Sequence, residues 1–295
     1  MSQTTTIQVS APATTVFTGI DTNASAPGVH NNTFGGFEHP HPIPTFTCLN
    51  AHRDWMLQHM AGAFRVFARK GFTEGTAGHI SVRDPVDPNT FWINPLCRHF
   101  AMLKASDMVH VDENGKVLPD GNQAAVNAAG FRIHSQLHKA RPDINAACHT
   151  HSVYGKAYSA FGKPIEMLNQ DACTFYNSHS VYEGFGGIVL DDEEGKQIAT
   201  ALKDNKAVIL QNHGLLTVGG TVDEAAYLFT LLERCCETQL AADSVHPENK
   251  SKITVGDEEA QYTFEMTSDP ESLYAEFQPD FEYEIWKSNG ELKPF

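Results

Sequence analysis

Two histidines stand two residues apart near the middle of the chain, in the segment AACHTHS (residues 146–152). In a β-strand, side chains two residues apart point to the same face, so His149 and His151 would lie side by side. Cys148 would point to the opposite face, towards the core. Two imidazoles on one face are half of a metal chelate. The alternative at this point is two polar residues at the end of a strand.

A third histidine completes a candidate ligand set. His213 lies in VILQNHGLLTVG (208–219), just after an apolar strand and before a glycine, where the backbone turns easily. Three neutral imidazoles suit Zn²⁺, with Mn²⁺, Fe²⁺, Co²⁺ and Ni²⁺ as alternatives. A coordination position left to water or substrate is typical of catalytic sites. His149, His151 and His213 are therefore the candidate ligands of one divalent ion, and their spacing alone leaves this interpretation and the strand-end alternative both open.

The apolar pattern around these histidines indicates helices and short strands that alternate along the chain. The sequence predicts an α/β sandwich: a mostly antiparallel central sheet covered by helices. The expected helices are 49–70, 127–141, 153–161, 193–203 and a last long helix over 222–243, where Thr221 and Glu224 have capping-box spacing. The expected strands follow the glycine-rich turn before His79, cover TFWI (90–93), form a hairpin with Asn114-Gly115 at its tip, and lie at 144–149, 186–190 and 206–211.

Composition restricts the class of protein. The net charge is −15, from 36 acidic and 21 basic residues, which argues against nucleic acid or an anionic membrane as a partner. The sequence contains no run of 18 apolar residues, and the six cysteines are scattered, a pattern typical of a reduced, cytoplasmic protein. We expect a flexible N-terminal arm (1–45), one main domain (46–245) and a C-terminal extension (246–295) that packs on the body or on a neighbouring subunit.

Several segments carry a resemblance to a known family. GTAGHISVR (75–83), GFRIH (130–134), RPDINAACHTHS (141–152) and AVILQNHGLLTVGGTVDEAAY (207–227) resemble the class II aldolase/adducin family, in its order and spacing. The resemblance implies a three-layer α/β/α sandwich, and it implies a bound metal with zinc ligands at the three histidine positions, His149, His151 and His213. It also implies a small-molecule substrate and a homo-oligomer, commonly a C4 tetramer with active sites at subunit interfaces.

The sequence departs from the aldolase pattern at the positions that would handle a sugar phosphate. The glutamate that serves the aldolases as metal ligand and acid/base is Gly130 here, and the paired serines before it are Ala128 and Ala129. The asparagine of the glycine-rich turn is His79, and a second phosphate-binding turn falls at Leu96-Cys97. These changes resemble the adducin-like branch and predict a substrate without phosphate, lying against His79 and Gly130.

The function predicted from these residues is a metal-dependent lyase, by decarboxylation or retro-aldol cleavage through a metal-stabilised enolate, acting on a small oxo or hydroxy acid or a related carbonyl compound. Decarboxylation requires no prior removal of a substrate proton, so it tolerates the loss of the glutamate. The first alternative is a non-catalytic, adducin-like assembly module with a structural or vestigial metal. The second is a metal-dependent isomerase or epimerase.

Three residues are candidates to protonate the product: His134, Tyr182 and His79. His134 follows Gly130 by one helical turn, and Tyr182 lies in VYEGFGGI (181–188). His79, if protonated, would bind a substrate carboxylate. Each has a plainer alternative: a histidine that supports its neighbours for His134, a strand-edge aromatic for Tyr182, and a structural turn residue for His79.

Overall fold

The computed structural model describes residues 20–21, 40–187, 192–245 and 251–293. Most of the arm expected over residues 1–45 therefore lies outside the described residues. Within it, Ile20–Asp21 (β1) pairs antiparallel with Thr45–Phe46 (β2). Among the described helices, none is both long enough and apolar enough to cross a membrane.

The centre of the protein is a seven-stranded sheet in the order β5-β4-β3-β6-β9-β8-β7. Its strands are β3 (His79–Arg83), β4 (Thr90–Ile93), β5 (Val109–Asp112), β6 (Ala146–Thr150), β7 (His179–Tyr182), β8 (Ala207–Leu210) and β9 (Gly214–Gly219). Every neighbouring pair is antiparallel except β7 with β8, which is parallel. The predicted, mostly antiparallel sheet is confirmed.

Helices cover both faces of this sheet. They are α1 (Leu49–Arg69), α2 (Ala128–Ala140), α3 (Val153–Ser159), α4 (Gln170–Cys173), α5 (Asp192–Leu202), α6 (Val222–Asp243), α7 (Asp257–Thr267) and α8 (Pro270–Lys287). One apolar core joins the sheet to α1, α6 and α8, and a second joins its other face to α2 and α5. Apolar side chains on both faces require two covering layers, which explains the predicted three-layer sandwich.

Strand alternation sets the face on which the chemistry lies. In β6, Ala146 and Cys148 belong to the core beneath α1 and α6, whereas Ala147 belongs to the core beneath α2 and α5. His149 is two residues after Ala147 and therefore faces α2. His79 is its cross-strand partner on β3, so the two imidazoles lie on the same face. Cys148 faces the core, as expected.

The long helix α6 matches its sequence signals closely. It begins after Thr221, whose side chain accepts a hydrogen bond from the Glu224 amide at 3.1 Å, and the predicted bounds of 222–243 are confirmed. The Glu224 carboxylate bonds the amide of Gly220 rather than that of Thr221. The apolar positions of its core-facing stripe are all buried: Ala225, Leu228, Phe229, Leu232, Cys235 and Cys236.

Two expectations about the elements need correction. The strand expected at 186–190 is not formed at Gly186 and Gly187, and residues 188–190 lie outside the described residues. The edge strand is β7 instead; its sequence HSVY lacks an apolar run because an edge strand is only partly buried. The expectation that 222–243 is the last long helix was also wrong, because α8 follows it with 18 residues.

The C-terminal helix α8 packs tightly against α1. A Cβ atom added at Gly62 of α1 would lie 2.2 Å from the ring of Phe281 on α8, so the two helices meet where α1 has no side chain. Phe281 also stacks on His59 of α1, with ring centroids 4.0 Å apart. The core that covers this face of the sheet thus includes residues of α8.

Candidate metal centre

Three histidines converge at the end of β6 and at the turn before β9. The ring centroids of His149, His151 and His213 are 4.8 to 5.2 Å apart, and their candidate ligand atoms all lie within 4.8 Å of one another. The Nε2 atoms of His151 and His213 are 3.0 Å apart. The structure brings the predicted ligand set together because β6 and β9 are paired and His213 precedes β9 directly.

A backbone hydrogen bond fixes the orientation of His149. Its Nδ1 lies 2.8 Å from the carbonyl oxygen of Leu215, so Nδ1 carries the proton and donates it to that oxygen. Nε2 is then left with a free lone pair. A neighbouring acceptor that fixes the ring and its tautomer is typical of metal-binding histidines.

His79 occupies the space beside position 130. A Cβ atom placed on Gly130 would lie 2.4 Å from Cε1 of His79 and 2.5 Å from each of its ring nitrogens. The glycine and the histidine are therefore mutually dependent, since no larger side chain fits at position 130 while this ring is in place. His79 also lies parallel to His149, with ring centroids 5.9 Å apart.

Behind His79, a buried chain of hydrogen bonds runs towards the interior. His138 Nδ1 donates to the carbonyl oxygen of Ile144 at 3.2 Å, so in the neutral ring His138 Nε2 is an acceptor. Ser81 Oγ lies 2.8 Å from that Nε2 and 2.6 Å from Nδ1 of His134. The single serine proton goes to His138, and Ser81 therefore accepts from His134 Nδ1–H. His134 is left with a lone pair on Nε2.

Three ring nitrogens of this histidine cluster have no hydrogen-bond partner among the described residues. They are both ring nitrogens of His79 and Nε2 of His134, and both side chains are at least 94 % buried. A buried polar atom without a partner is costly, so such atoms commonly mark the position of an ion, a water or a ligand. His79 lies between His134 and the three converging histidines.

Burial keeps this group of imidazoles neutral. It lowers the pKa of His79 and of His213 to about 4, with the nearby His151 as a further cause for each. It lowers the pKa of His149 and His134 well below the ordinary value, and it lowers the pKa of His138 to about 3. A metal ion requires neutral imidazoles, and these are neutral at pH 7.

Tyr182 lies at the end of β7. Its hydroxyl donates to Oε1 of Gln197 on α5 at 3.0 Å, and its ring packs in the core under α2 and α5. Its backbone oxygen accepts from Gln211, two residues before His213. No described contact joins its side chain to the three converging histidines, so the catalytic role expected for Tyr182 stays a prediction.

The structure adds a charged pair that the sequence analysis did not select. Glu74, in the loop before His79, forms an ion pair with Lys156 on α3. The pKa of His151, lowered first by burial, is raised by the charge of Glu74 and lowered by that of Lys156, so both charges act on this ring. Glu74 and Lys156 are 82 residues apart, and neither lies in a motif that signals chemistry.

The donor set fits a divalent metal ion. It offers three neutral imidazoles, one of them fixed by Leu215, and unpartnered nitrogens on the adjacent His79. Three histidines leave part of a tetrahedral or octahedral coordination sphere open to a substrate. The described residues therefore place a candidate site for a divalent ion on the central sheet of an α/β fold.

Comparison with known proteins identifies the family. Residues 58–240 match the model of the class II aldolase and adducin N-terminal domain. The chain is 49 % identical over 251 residues to the meiotically up-regulated gene 14 protein of Schizosaccharomyces pombe, covering 85 % of this chain and 97 % of that protein.

Two Streptomyces proteins and one solved structure are also similar. Decarboxylase NovR of Streptomyces niveus is 45 % identical, over 68 % of this chain and 74 % of its own. The 4-hydroxy-3-prenylphenylpyruvate oxygenase/4-hydroxy-3-prenylbenzoate synthase of Streptomyces roseochromogenus subsp. oscitans is 45 % identical, over 70 % and 74 %. The structure is L-fuculose 1-phosphate aldolase from Glaciozyma antarctica PI12, with a TM-score of 0.77, 39 % identity, and coverage of 85 % and 96 %.

The chain belongs to the class II aldolase and adducin family, and the predicted resemblance is confirmed. Members of this family generally use a divalent metal, act on small molecules and are typically oligomeric. The similar proteins support a metal-dependent function of the lyase type.

Proposed function

We propose that this protein is a metal-dependent lyase that cleaves a C–C bond of a small, non-phosphorylated oxo or hydroxy acid, with decarboxylation as the reaction and retro-aldol cleavage as its variant. One observation carries the proposal. Three imidazoles converge beside a fourth, and that fourth ring, His79, fills the space that a side chain at position 130 would need.

The metal and the chain have separate tasks in this reaction. When bound, the divalent ion would supply a Lewis acid that holds two oxygens of the acid and accepts the charge left by the broken bond. The chain would hold it through His149, His151 and His213, and Leu215 keeps His149 in the tautomer that this requires. Zn²⁺ is the ion that we propose.

His79 is suited to handle the proton of the product. A neutral imidazole carries one N–H, and both nitrogens of His79 are without a partner among the described residues, so that N–H is available to a bound substrate. His134 has given its Nδ1–H to Ser81 and presents a lone pair. We place His134 behind His79, without a hydrogen bond between the two rings, and assign to His79 the N–H that donates to the bound substrate.

Decarboxylation agrees with the loss of the carboxylate at position 130. Aldol chemistry in either direction includes the transfer of a proton by a base, whereas loss of CO₂ breaks the bond without one. The neutral rings around the centre, with pKa values of about 4 for His79 and His213, are weak bases. They suit a reaction that starts without the removal of a substrate proton.

Two features disfavour a phosphate group on the proposed substrate. The cavity between the glycine-rich turn and residues 94–98 measures about 10 Å³. A volume of this size holds about one water molecule. Ala128 and Ala129 provide no side-chain donor at the start of α2.

The relatives favour an oxo acid with an aromatic group. One is named a decarboxylase, and the other is named for a phenylpyruvate substrate and a benzoate product. The second name also contains "oxygenase", which favours a second candidate function: oxidative cleavage of the same class of acid with O₂ and Fe²⁺ in place of Zn²⁺. Fe²⁺ also accepts imidazole ligands.

A turnover assay with and without oxygen tests the proposal. Protein loaded with Zn²⁺ or Fe²⁺ is incubated with 2-oxo and 2-hydroxy acids that carry alkyl or aryl groups, and CO₂, aldehyde and O₂ are measured. We expect cleavage without oxygen. It is lost in His151→Ala and retained in His99→Ala, a control that replaces an exposed histidine outside the site.

Other outcomes select the other functions. Cleavage that consumes O₂ and requires Fe²⁺ indicates the oxygenase. Inversion or rearrangement without cleavage indicates an isomerase or epimerase. A protein that binds metal and assembles, yet turns over no acid in the panel, contradicts the lyase and leaves the adducin-like assembly module.

A further inference from the structure

The chain leaves the metal-ligand strand through a short helix that begins next to His151. Ser152 is the residue before α3, and the first turn of α3 follows it directly. The amides of a first helical turn have no acceptor within the helix and must find one elsewhere. Ser152 supplies no side-chain cap to α3, so the acceptor comes from another element.

That acceptor is Glu233, in the middle of α6. Its carboxylate accepts from the amide of Gly155 at 2.7 Å, from the amide of Tyr154 at 2.9 Å and from the hydroxyl of Ser152 at 2.5 Å. Glu233 is 4 % exposed. One buried carboxylate thus holds three donors of the segment that leaves His151.

Charge and burial act on Glu233 in opposite directions. Burial raises the pKa of the carboxyl, the hydrogen bonds from Ser152, Tyr154 and Gly155 lower it, and the net result is a raised pKa. A buried carboxylate is costly unless donors surround it. An apolar side chain would be sufficient at position 233 of α6 if only packing were required. The three hydrogen-bond donors therefore indicate a role for the carboxylate itself.

The hydrogen bonds of Glu233 also affect His149, because α3 packs on the strand that orients it. A Cβ atom added at Gly155 would lie 2.6 Å from Cγ of Leu215, so α3 rests directly on β9 at this point. The carbonyl oxygen of Leu215 is the acceptor that orients His149. A displacement of the first turn of α3 would therefore disturb two of the three converging histidines.

We propose that Glu233 is a positioning residue that holds the start of α3, and through it His151 and Leu215, in the arrangement required for metal binding. This inference rests on the metal site of the proposed function. Lys156, one turn further along α3, pairs with Glu74 in the loop before His79. The short helix is thus fixed to α6 on one side and to the His79 loop on the other.

The test compares two glutamates of α6 that both contact Tyr154. Glu233→Gln keeps the size of the side chain but replaces one acceptor oxygen by a donor. Glu237→Gln is the control: Glu237 bonds the Tyr154 hydroxyl and pairs with Arg234, but lies at the surface. We expect Glu233→Gln to weaken Zn²⁺ binding roughly 10- to 100-fold, the range for residues that orient metal ligands. Glu237→Gln should stay within about twofold of the wild type.

A second variant and a second measurement separate positioning from stability. Ser152→Ala removes one of the three hydrogen bonds and should weaken Zn²⁺ binding in the same direction by a smaller factor. In metal-free protein, the imidazole NMR signals of His151 should shift and broaden in Glu233→Gln but not in Glu237→Gln. A merely structural glutamate would lower the melting temperature and leave both readouts unchanged.

The outcomes distinguish this inference from the proposed function. Wild-type Zn²⁺ affinity together with unchanged His151 signals in folded Glu233→Gln overturns the positioning role. If the wild type binds Zn²⁺ but cleaves no acid, the proposed function fails and the affinities still decide this inference. If the wild type binds no metal, the proposed function fails, and unchanged His151 signals in metal-free Glu233→Gln would overturn the inference as well.

Discussion

Two buried groups that contain histidine lie on the same sheet in opposite surroundings: His110 with its charged partners, and the cluster of histidines around His79. At the β5 edge, His110 stands between two carboxylates, with Nδ1 2.6 Å from Asp120 and Nε2 3.3 Å from Asp84. Arg53 also binds Asp84, and Trp92 stacks on His110 with ring centroids 4.3 Å apart. At the centre of the sheet, the group around His79 includes no such carboxylate partner among its described hydrogen bonds.

The surroundings decide the protonation of each group. Burial would lower the pKa of His110, but hydrogen bonds to Asp84 and then Asp120 outweigh it, and the pKa is raised. At His138, no carboxylate opposes burial, the charge of Arg83 acts in the same direction, and the pKa falls to about 3. A histidine with buried carboxylates becomes part of an ion pair. A histidine without them keeps a lone pair, which is the form that binds a metal or accepts a proton.

The largest expected effect comes from a variant that disrupts the edge group, which consists of Arg53, Asp84 and His110. In Asp84→Asn, the charge that balances Arg53 and His110 is lost from a fully buried position. Removing one partner of a buried ion pair typically costs about 3–5 kcal/mol. We expect a loss of this order in the free energy of unfolding, measured in urea, with unchanged Zn²⁺ affinity of the folded protein. A large loss of Zn²⁺ affinity would show that the two groups are coupled.

The next effect tests the shared space of positions 79 and 130. Gly130→Ala forces a methyl group into the ring of His79, and overpacking of this kind typically costs about 1–3 kcal/mol. The higher helix propensity of alanine offsets up to about 1 kcal/mol of this cost. His79→Ala should remove the clash, so the double variant should be more stable than the sum of the single effects indicates. Additive effects in this double-mutant cycle would contradict the mutual dependence.

The third effect is a pH dependence of opposite sign in the two groups. His138 takes up a proton below about pH 6.5 in the unfolded chain but only near pH 3 in the folded protein. It therefore lowers stability by about 1.4 kcal/mol for each pH unit between these values as the pH falls. His110, with a raised pKa, contributes stability that is present below pH 6.5 and is lost as the pH rises through its folded pKa.

Matched variants separate these two contributions. Unfolding of metal-free protein is measured over a pH range that extends on both sides of about pH 6.5, the unfolded-state pKa of histidine. His138→Gln should flatten the fall of stability below this pH, whereas His110→Gln should remove the fall of stability that His110 causes above it. Equal slopes in the two variants would show that the groups do not differ in protonation.

The smallest expected effect is at Tyr182. Its hydroxyl bonds Gln197 and is partly exposed, so Tyr182→Phe should cost about 1 kcal/mol or less, the usual value of a single hydrogen bond. Zn²⁺ affinity should not change. If the cleavage rate falls more than about a hundredfold in this variant, Tyr182 acts on the substrate, as the sequence analysis proposed.

Local patterns explain which features were predictable. The spacing of His149 and His151 on a strand, together with the glycine after His213, makes these histidines candidates for one site, and the family resemblance adds the expectation of a bound metal. The bounds of α6 follow from its cap and its apolar stripe. These signals lie within short stretches of chain, where periodicity determines direction.

The remaining features depend on contacts between distant parts of the chain. Glu233 is 81 residues from Ser152, and it looks like an ordinary polar position of a helix in the sequence. The sequence could not show that the ring of His79 fills the space of a side chain at position 130, because this arrangement depends on the packing of α2 on β3. The strand β7 was not predicted because it lies at the edge of the sheet, beside β8, and an edge strand needs no continuous apolar run.

The contact of Gly62 with Phe281 has a practical consequence for work with fragments. The segment that matches the family model, 58–240, starts inside α1 and stops before α8. A shortened protein with these limits would lose Phe281, Leu273 and Phe277, all of them buried, and would turn the bare groove at Gly62 towards water. Such a fragment should be recovered from expression mainly as aggregate, whereas a version that retains residues 46–293 should remain monodisperse.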